Sequence, residues 1–298
     1  MFPEPFFLDV DGGSRGQRFA LYHAPHKHVT RGLIVHVHPF AEELNKSRRM
    51  AALQARAMAE AGYAVLQMDL LGCGDSAGDF GEANWTQWVL DVAHAARWLQ
   101  QRHAHAADAR AAPSLWLWGH RVGALLAAQA ATEMGSACNF LFWQPAIAGR
   151  TLLQQFLRLK SAGQLASGQT KGAVQGLRNE LDAGRSVEVA GYVLHPALCR
   201  GLDQAVLNPP PFDGGGRRVE WLEVSPQVGA QLSSAGLTHA AQWRSSGWAT
   251  SARMIRGPAF WQTTEIEDAP ALLQASIEVL TREAVAAIAE TDACLAHR

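Results

Sequence analysis

The chain has 298 residues, 48% of them hydrophobic, and a formal net charge of −1 at pH 7. This composition can bury one large core, and the balanced charge gives no electrostatic reason to bind nucleic acid. The start lacks a basic segment followed by an apolar one, and no apolar run reaches the roughly 18 residues of a membrane span, so we expect a cytoplasmic protein. The cysteines, at positions 73, 138, 199 and 294, lack metal-ligand spacing, and we predict no metal and no cofactor.

Two early strands, PFFLDV and QRFALYHAP, flank the turn DGGSRG and predict an N-terminal hairpin. Strands and helices then alternate with short connections. The predicted strands are GLIVHVHPF (32–40), YAVLQMDL (63–70), SLWLWG (114–119) and NFLFWQP (139–145). The predicted helices between them span 45–62, 84–104 and 124–134. This alternation predicts an α/β fold with a mostly parallel sheet covered by helices on both faces.

The alternation breaks after NFLFWQP. Two helical stretches follow, TLLQQFLRLKSA and QTKGAVQGLRNELDAG, and then a mixed segment that ends in the loop NPPPFDGGG. We predict a cap inserted at residues 149–212, and a core built from residues 1–148 and 213–298. The sheet resumes with RRVEWLEVS (217–225) and ARMIRGPAF (252–260), and DAPALLQASIEVLTREAVAAIAE is the predicted closing helix.

Three stretches resemble the α/β-hydrolase superfamily, and the order of elements does so over nearly the whole chain. HVHPF lies where that superfamily has its oxyanion loop, DLLGCGDSAG is similar to its D-x-x-G-x-G-x-S loop, and GHRVGALLA has the frame of the nucleophile elbow G-x-S-x-G. The resemblance implies an α/β-hydrolase fold with a cap and an activity on ester, thioester or amide bonds.

A closer set of motifs resembles the exosortase A system-associated hydrolase 2 group. The motifs are HPFAEELNKSRRM, DLLGCGDSAGDF, W-x-x-W-x-x-D at 85–91, GHRVGALLA and VAGY at 189–192. This resemblance implies an acyl or ester hydrolase linked to exosortase and exopolysaccharide loci.

The elbow has Arg121 where the superfamily has its nucleophile, and a guanidinium stays protonated and cannot attack. The superfamily's acid follows the strand VEWLEV, where this chain has only Ser-Pro-Gln; Glu223, inside that strand, stays open as a displaced acid. The superfamily's histidine follows the last strand, where this chain reads RGPAFWQ, and His239 comes about twenty residues too early. With all three roles vacant, we predict that the protein is not a serine hydrolase.

Other chemistries use residues near the same sheet edge. Cys73 and Ser76 are alternative nucleophiles, although a small buried residue and a turn-forming serine are the simpler interpretations. His36 and His38 face the same side of their strand and could bind a metal ion with Glu42, Glu43 and Asp69 near the same sheet edge. The simpler interpretation is that His38 shapes the former oxyanion loop by hydrogen bonding.

Arg121 should project into the mouth beyond the carboxyl ends of the strands, where the start of a helix already favours an anion. Either Glu42 or Glu43 reaches back to pair with it, or the mouth binds an external anion. The residues predicted to form this mouth are Arg121, Val122, His38, Phe40, Glu43, Trp143 and Trp261. Two functions remain open: a hydrolase-family enzyme, or a non-catalytic accessory protein that holds an anionic or acyl small molecule or a protein partner.

Overall fold

The computed structural model describes residues 2–10, 16–26, 30–104, 113–164, 172–211 and 216–282. The last part of the predicted closing helix and Cys294 lie outside these ranges. In the described residues, no helix combines the length and the apolar character needed to cross a membrane.

The described residues form ten strands. They are β1 (Glu4–Asp9), β2 (Gln17–His23), β3 (Gly32–Val37), β4 (Tyr63–Met68), β5 (Ser114–His120), β6 (Asn139–Trp143), β7 (Val187–Val189), β8 (Tyr192–Leu194), β9 (Arg218–Ser225) and β10 (Ala249–Arg256). Eight of them form one sheet in the order β1-β2-β4-β3-β5-β6-β9-β10, while β7 and β8 pair separately. β1–β2 and β2–β4 are antiparallel, and the remaining pairs of the large sheet are parallel. The predicted mostly parallel α/β fold is confirmed.

Eight α-helices accompany the strands in the described residues. They are α1 (Glu42–Glu60), α2 (Trp85–His103), α3 (Val122–Met134), α4 (Gly149–Gln164), α5 (Ala173–Asp182), α6 (Pro196–Gln204), α7 (Ser234–Ser245) and α8 (Pro270–Thr281). α2 and α3 cover one face of the sheet, and α1 and α8 cover the other. Both faces are therefore buried, which is why its parallel strands read as almost continuous apolar runs.

The segment between β6 and β9 leaves the sheet and contains α4, α5, β7, β8 and α6. It packs directly on the core, because a Cβ at Gly201 of α6 would collide with the side chain of Trp85 on α2. This segment covers most of the predicted cap, whose boundaries at 149 and 212 stay a prediction.

One helix, α7, is absent from the sequence prediction. Its buried residues are only Gly236, Ala240 and Trp243, so it lacks the apolar stripe that marks an amphipathic helix. Its one sequence signal is Ser233, whose hydroxyl accepts the backbone N–H of Gly236 at 3.0 Å as an N-cap.

Gly123, in the first turn of α3, lets this helix approach the end of β3 closely. A Cβ at this position would collide with the carbonyl of Val37, so we expect Gly123→Ala to destabilise the fold by about 1–3 kcal/mol or more through overpacking. Gly176 is the matched control, since it lies inside α5 with open space around its added Cβ. Gly176→Ala should stabilise the protein by about 0.5–1 kcal/mol. Urea unfolding of both variants measures the difference; equal effects would contradict the assigned contact.

Candidate functional site

The site is built on the turn between β5 and α3. Arg121 forms this turn with φ 55° and ψ −115°, a conformation that costs a non-glycine residue roughly 1–3 kcal/mol. Its N–H donates to the carbonyl of Trp143 at 3.0 Å, and its own carbonyl accepts the N–H groups of Ala124 and Ala146 at 3.1 and 3.0 Å. These three hydrogen bonds hold the strained backbone in place.

Both glycines of the elbow lie where a side chain would collide with the neighbouring backbone. A Cβ at Gly119 would lie 2.6 Å from the Cα of Ala124, and one at Gly123 would collide with the carbonyl of Val37. The backbone of a nucleophile elbow is therefore intact, with an arginine at its tip.

The guanidinium of Arg121 pairs with Glu43 in the first turn of α1. Nη2 lies 3.2 Å from Oε1, and Nε donates to Oε1 and Oε2 at 3.2 and 3.4 Å. The two side chains are 14% and 19% exposed. Of the two carboxylates that the sequence offered, Glu43 is the partner, while Glu42 accepts hydrogen bonds from Tyr192 and Asn45, each at 3.1 Å.

Burial dominates the electrostatics of Glu43. It raises the pKa of this carboxyl, and the charge and hydrogen bonds of Arg121 offset the rise only in part, with a smaller contribution from Gln262. Arg121 also lies against Trp261, with its Cζ 5.8 Å from the ring centre. The pair is thus held in a partly apolar setting, where a second anion would act strongly on Glu43.

A cavity of about 360 Å³ opens above this ion pair, within the size range of small-molecule sites. Most of its wall is apolar, and its polar lining includes the Arg121–Glu43 pair. The lining residues are Phe40, Glu42, Glu43, Lys46, Arg121, Leu152, Gln155, Phe156, Leu159, Trp261 and Gln262. Among the described residues, Lys46 has no hydrogen-bond or ion-pair partner. The mouth therefore contains one cation that is not neutralised by a direct contact.

Four of the seven predicted mouth residues line this cavity: Phe40, Glu43, Arg121 and Trp261. The other three do not. Trp143 is buried on the α8 side of the sheet, where its Nε1 donates to the hydroxyl of Ser276 at 2.8 Å. Val122 is buried as the first residue of α3.

His38 is the third predicted mouth residue outside the cavity. Its Nδ1 lies 2.8 Å from the carbonyl of Pro39, and its Nε2 accepts the N–H of Leu70 at 3.3 Å. It joins the loops after β3 and β4, which is the scaffolding role that the sequence suggested.

Glu223, the open candidate for a catalytic acid, holds the start of α7. Its carboxylate accepts the backbone N–H and the hydroxyl of Ser233 at 2.8 and 2.9 Å, and the indole N–H of Trp221 at 3.2 Å. Its observed contacts give it a structural role. His239, which sequence spacing had set aside, lies on α7.

The surroundings of the two alternative nucleophiles favour structural roles. Burial raises the pKa of the Cys73 thiol, so the thiolate is disfavoured. The hydroxyl of Ser76 donates to the carbonyl of Asp69 at 2.5 Å and accepts the N–H of Phe19 at 2.9 Å, which fixes the loop after β4. The described residues hold no group of three or more His, Cys, Asp and Glu side chains that could bind a metal ion.

Sequence reasoning missed the wall that α4 contributes to the cavity. Leu152, Gln155, Phe156 and Leu159 follow one another at the i, i+3, i+4, i+7 spacing of a single helical face. Lys46 was missed as well, although it lies one turn after Glu43 on the same face of α1. Both signals are present in the sequence and become meaningful once the elbow is known.

Comparisons with known proteins agree with the fold. A family described as serine aminopeptidase, S33, matches residues 28–177. No curated protein matches the sequence. Among solved structures, ferulic acid-bound Est1E from Butyrivibrio proteoclasticus is similar with a TM-score of 0.59 and 16% identity, covering 95% of this chain and 99% of that one. A soluble variant of monoglyceride lipase from Saccharomyces cerevisiae, with a substrate analogue, is similar with a TM-score of 0.61 and 11% identity, covering 94% and 96%.

His36 is buried against Trp118, with ring centres 4.3 Å apart and ring planes inclined at 47°, and its burial gives a pH prediction. Burial lowers its pKa to about 3, with smaller contributions from His38 and Arg48. Between pH 6.5 and 3 the unfolded chain binds a proton that the folded one does not, so His36 removes about 1.4 kcal/mol of stability per pH unit as the pH falls.

We expect His36→Gln, which cannot titrate, to lose less unfolding free energy than the wild type between pH 6.5 and 4.5. Urea unfolding across this range is the measurement. Parallel pH dependences of the two proteins would show that His36 is not buried in its neutral form.

Proposed function

The chain belongs to the serine aminopeptidase S33 family, and we propose that it is a non-hydrolytic member that binds an anionic ligand at the mouth around Arg121. One observation carries the proposal. The elbow keeps its strained turn and both close-packed glycines, yet the side chain at its tip is a guanidinium paired with Glu43.

The loss of hydrolysis is supported by the side chains at the former catalytic positions. Arg121 stays protonated and offers no nucleophile. Glu223 is hydrogen-bonded to Ser233 and Trp221, and burial raises the pKa of the Cys73 thiol, which disfavours the thiolate. A catalytic triad needs a nucleophile, a base and an orienting acid linked by hydrogen bonds.

The binding role is supported by the cavity. Its apolar wall and its few polar groups follow the usual design of a small-molecule site, in which a few polar groups fix the orientation of an apolar ligand. Arg121 supplies a planar donor fork at the start of α3, where carboxylates and phosphates bind well. Est1E holds ferulic acid in a similar fold, so this fold accommodates small ligands.

The alternative is acyl or ester hydrolysis, which family membership and the esterase and lipase neighbours favour. The motifs that resemble the exosortase A system-associated hydrolase 2 group connect either role with exosortase and exopolysaccharide processes. A protein segment with an acidic side chain is a further candidate for the occupant of the mouth.

The two functions differ in covalent chemistry. We expect the wild-type protein to leave short acyl esters intact and to remain unlabelled by a fluorophosphonate probe, with a serine esterase as positive control. Arg121→Ser should also stay inactive, because a serine alone does not supply the base and the acid. Turnover by the wild type would overturn the proposal, and turnover by the serine variant would show that a base and an acid are in place.

Anion binding has its own test. A thermal-shift panel of short carboxylates, phosphate and acyl carboxylates should stabilise the wild type, by roughly 2.7 kcal/mol at a ligand concentration a hundred times Kd. Arg121→Ala should lose this response. The control is Arg150→Ala, which removes an arginine whose side chain is 70% exposed and pairs with Asp203. A wild type that responds to no anion, or an equal response in Arg121→Ala, would contradict the binding site.

A further inference from the structure

We propose that the cavity binds a single-chain amphiphile with a monoanionic head group, such as a fatty carboxylate, and that Glu43 takes up one proton when this ligand binds. The inference rests on the proposed function and adds the class of ligand and the linkage to protons. It is argued from the charges, the shape and the apolar wall of the cavity.

The charges of the cavity balance only when no ligand is bound. Arg121 and Lys46 supply two positive charges, and Glu42 and Glu43 supply two negative charges when ionised. A bound anion would therefore leave one negative charge in excess. Protonation of one carboxylate restores neutrality, so one proton accompanies each monoanion.

Glu43 is the carboxylate that accepts this proton. Burial already raises its pKa, and an anion on the same guanidinium would raise it further. The charged groups that face it are Arg121 from the elbow and Glu42 and Lys46 from α1, while α4 and the loop after β10 contribute the neutral Gln155 and Gln262. Glu42 is exposed at the rim, with Tyr192 from β8 as its hydrogen-bond donor.

The head group has donors available to it. Glu43 engages Arg121 through Nε and Nη2, and a guanidinium carries five N–H donors. Lys46 adds an ammonium without a partner in the described part of the chain. A carboxylate or sulfonate can therefore bind beside Glu43, and the protonated Glu43 becomes a hydrogen-bond donor.

The chain of the amphiphile fits the apolar wall. Phe40 and Phe156 pack edge to face with ring centres 5.1 Å apart, and Trp261 and Leu152 extend this surface. Leu159, which is 52% exposed although it is apolar, marks where the wall meets solvent. A volume of about 360 Å³ is near the lower end for ligand sites, which favours one chain over two.

The first experiment tests the ligand class by isothermal titration calorimetry with the full chain, below the critical micelle concentration of each probe. We expect decanoate and decanesulfonate to bind at least tenfold more tightly than decanol, and decyltrimethylammonium not to bind. Affinity should rise by up to roughly fourfold for each methylene added from hexanoate to decanoate. Lys46→Met should weaken decanoate binding several-fold.

The second experiment tests the proton. Decanesulfonate stays ionised throughout, so its affinity reports the protein alone. With Glu43 protonated the anion binds without competition; as the pH rises through the pKa of Glu43, affinity should fall by up to tenfold per pH unit. Glu43→Gln should bind decanesulfonate with little pH dependence. Glu180→Gln, which removes a carboxylate that does not line the cavity, should keep the wild-type dependence.

The outcomes separate this inference from the function on which it rests. Decanol that binds as tightly as decanoate, or short anions that bind as tightly as decanoate, would overturn the ligand class while Arg121-dependent anion binding stands. An affinity for decanesulfonate that is independent of pH in the wild type would overturn proton uptake. If no anion of any length binds, the proposed function fails as well.

Discussion

The arrangement of the site depends on the need of one guanidinium for a counter-charge. Arg121 stands at the start of α3, where the helix dipole favours negative charge and disfavours its own positive charge. Glu43, in the first turn of α1, provides this counter-charge. α1 begins after a second strained turn at Ala41, with φ 50° and ψ −124°. The start of α1 also favours the carboxylate. Two helix starts and one arginine therefore offset part of the cost of burying the charge of Glu43.

The loops around the elbow make hydrogen bonds that stabilise the fold whether or not the protein hydrolyses a substrate. The motif W-x-x-W-x-x-D ends in Asp91, which accepts hydrogen bonds from the fully buried Arg18 and from the N–H of Leu71 at 2.8 and 2.9 Å. Trp88 of the same motif donates to the carbonyl of Leu71 at 2.9 Å. Removal of one partner from such a buried pair costs about 3–5 kcal/mol. Packing and hydrogen bonding therefore account for the motifs that this chain shares with hydrolases, and these motifs do not by themselves establish a reaction.

The sequence predicted the sheet and the elbow because apolar runs, helical spacing and glycines are local signals. It offered Glu42 and Glu43 as internal partners of Arg121 beside an external anion, and the contacts of the folded chain identify Glu43 as the internal partner. Trp143 was misjudged because its direction depends on register: it pairs with His120 and shares the α8 side of the sheet. Lys46 and the α4 residues show helical spacing in the sequence, but the surface that they face depends on how distant segments of the chain meet.

The same backbone that serves a hydrolase explains why an anion suits this mouth. In a serine elbow, the start of the helix after the nucleophile stabilises negative charge that develops during the reaction. In this chain a guanidinium is added at the same place, so the site favours an anion that is permanently charged. Glu43 is that anion in the structure, and it is part of the same chain, on the helix that follows β3. An incoming anion must therefore compete with a carboxylate that cannot diffuse out, and neutralising Glu43 with a proton lets both remain beside Arg121.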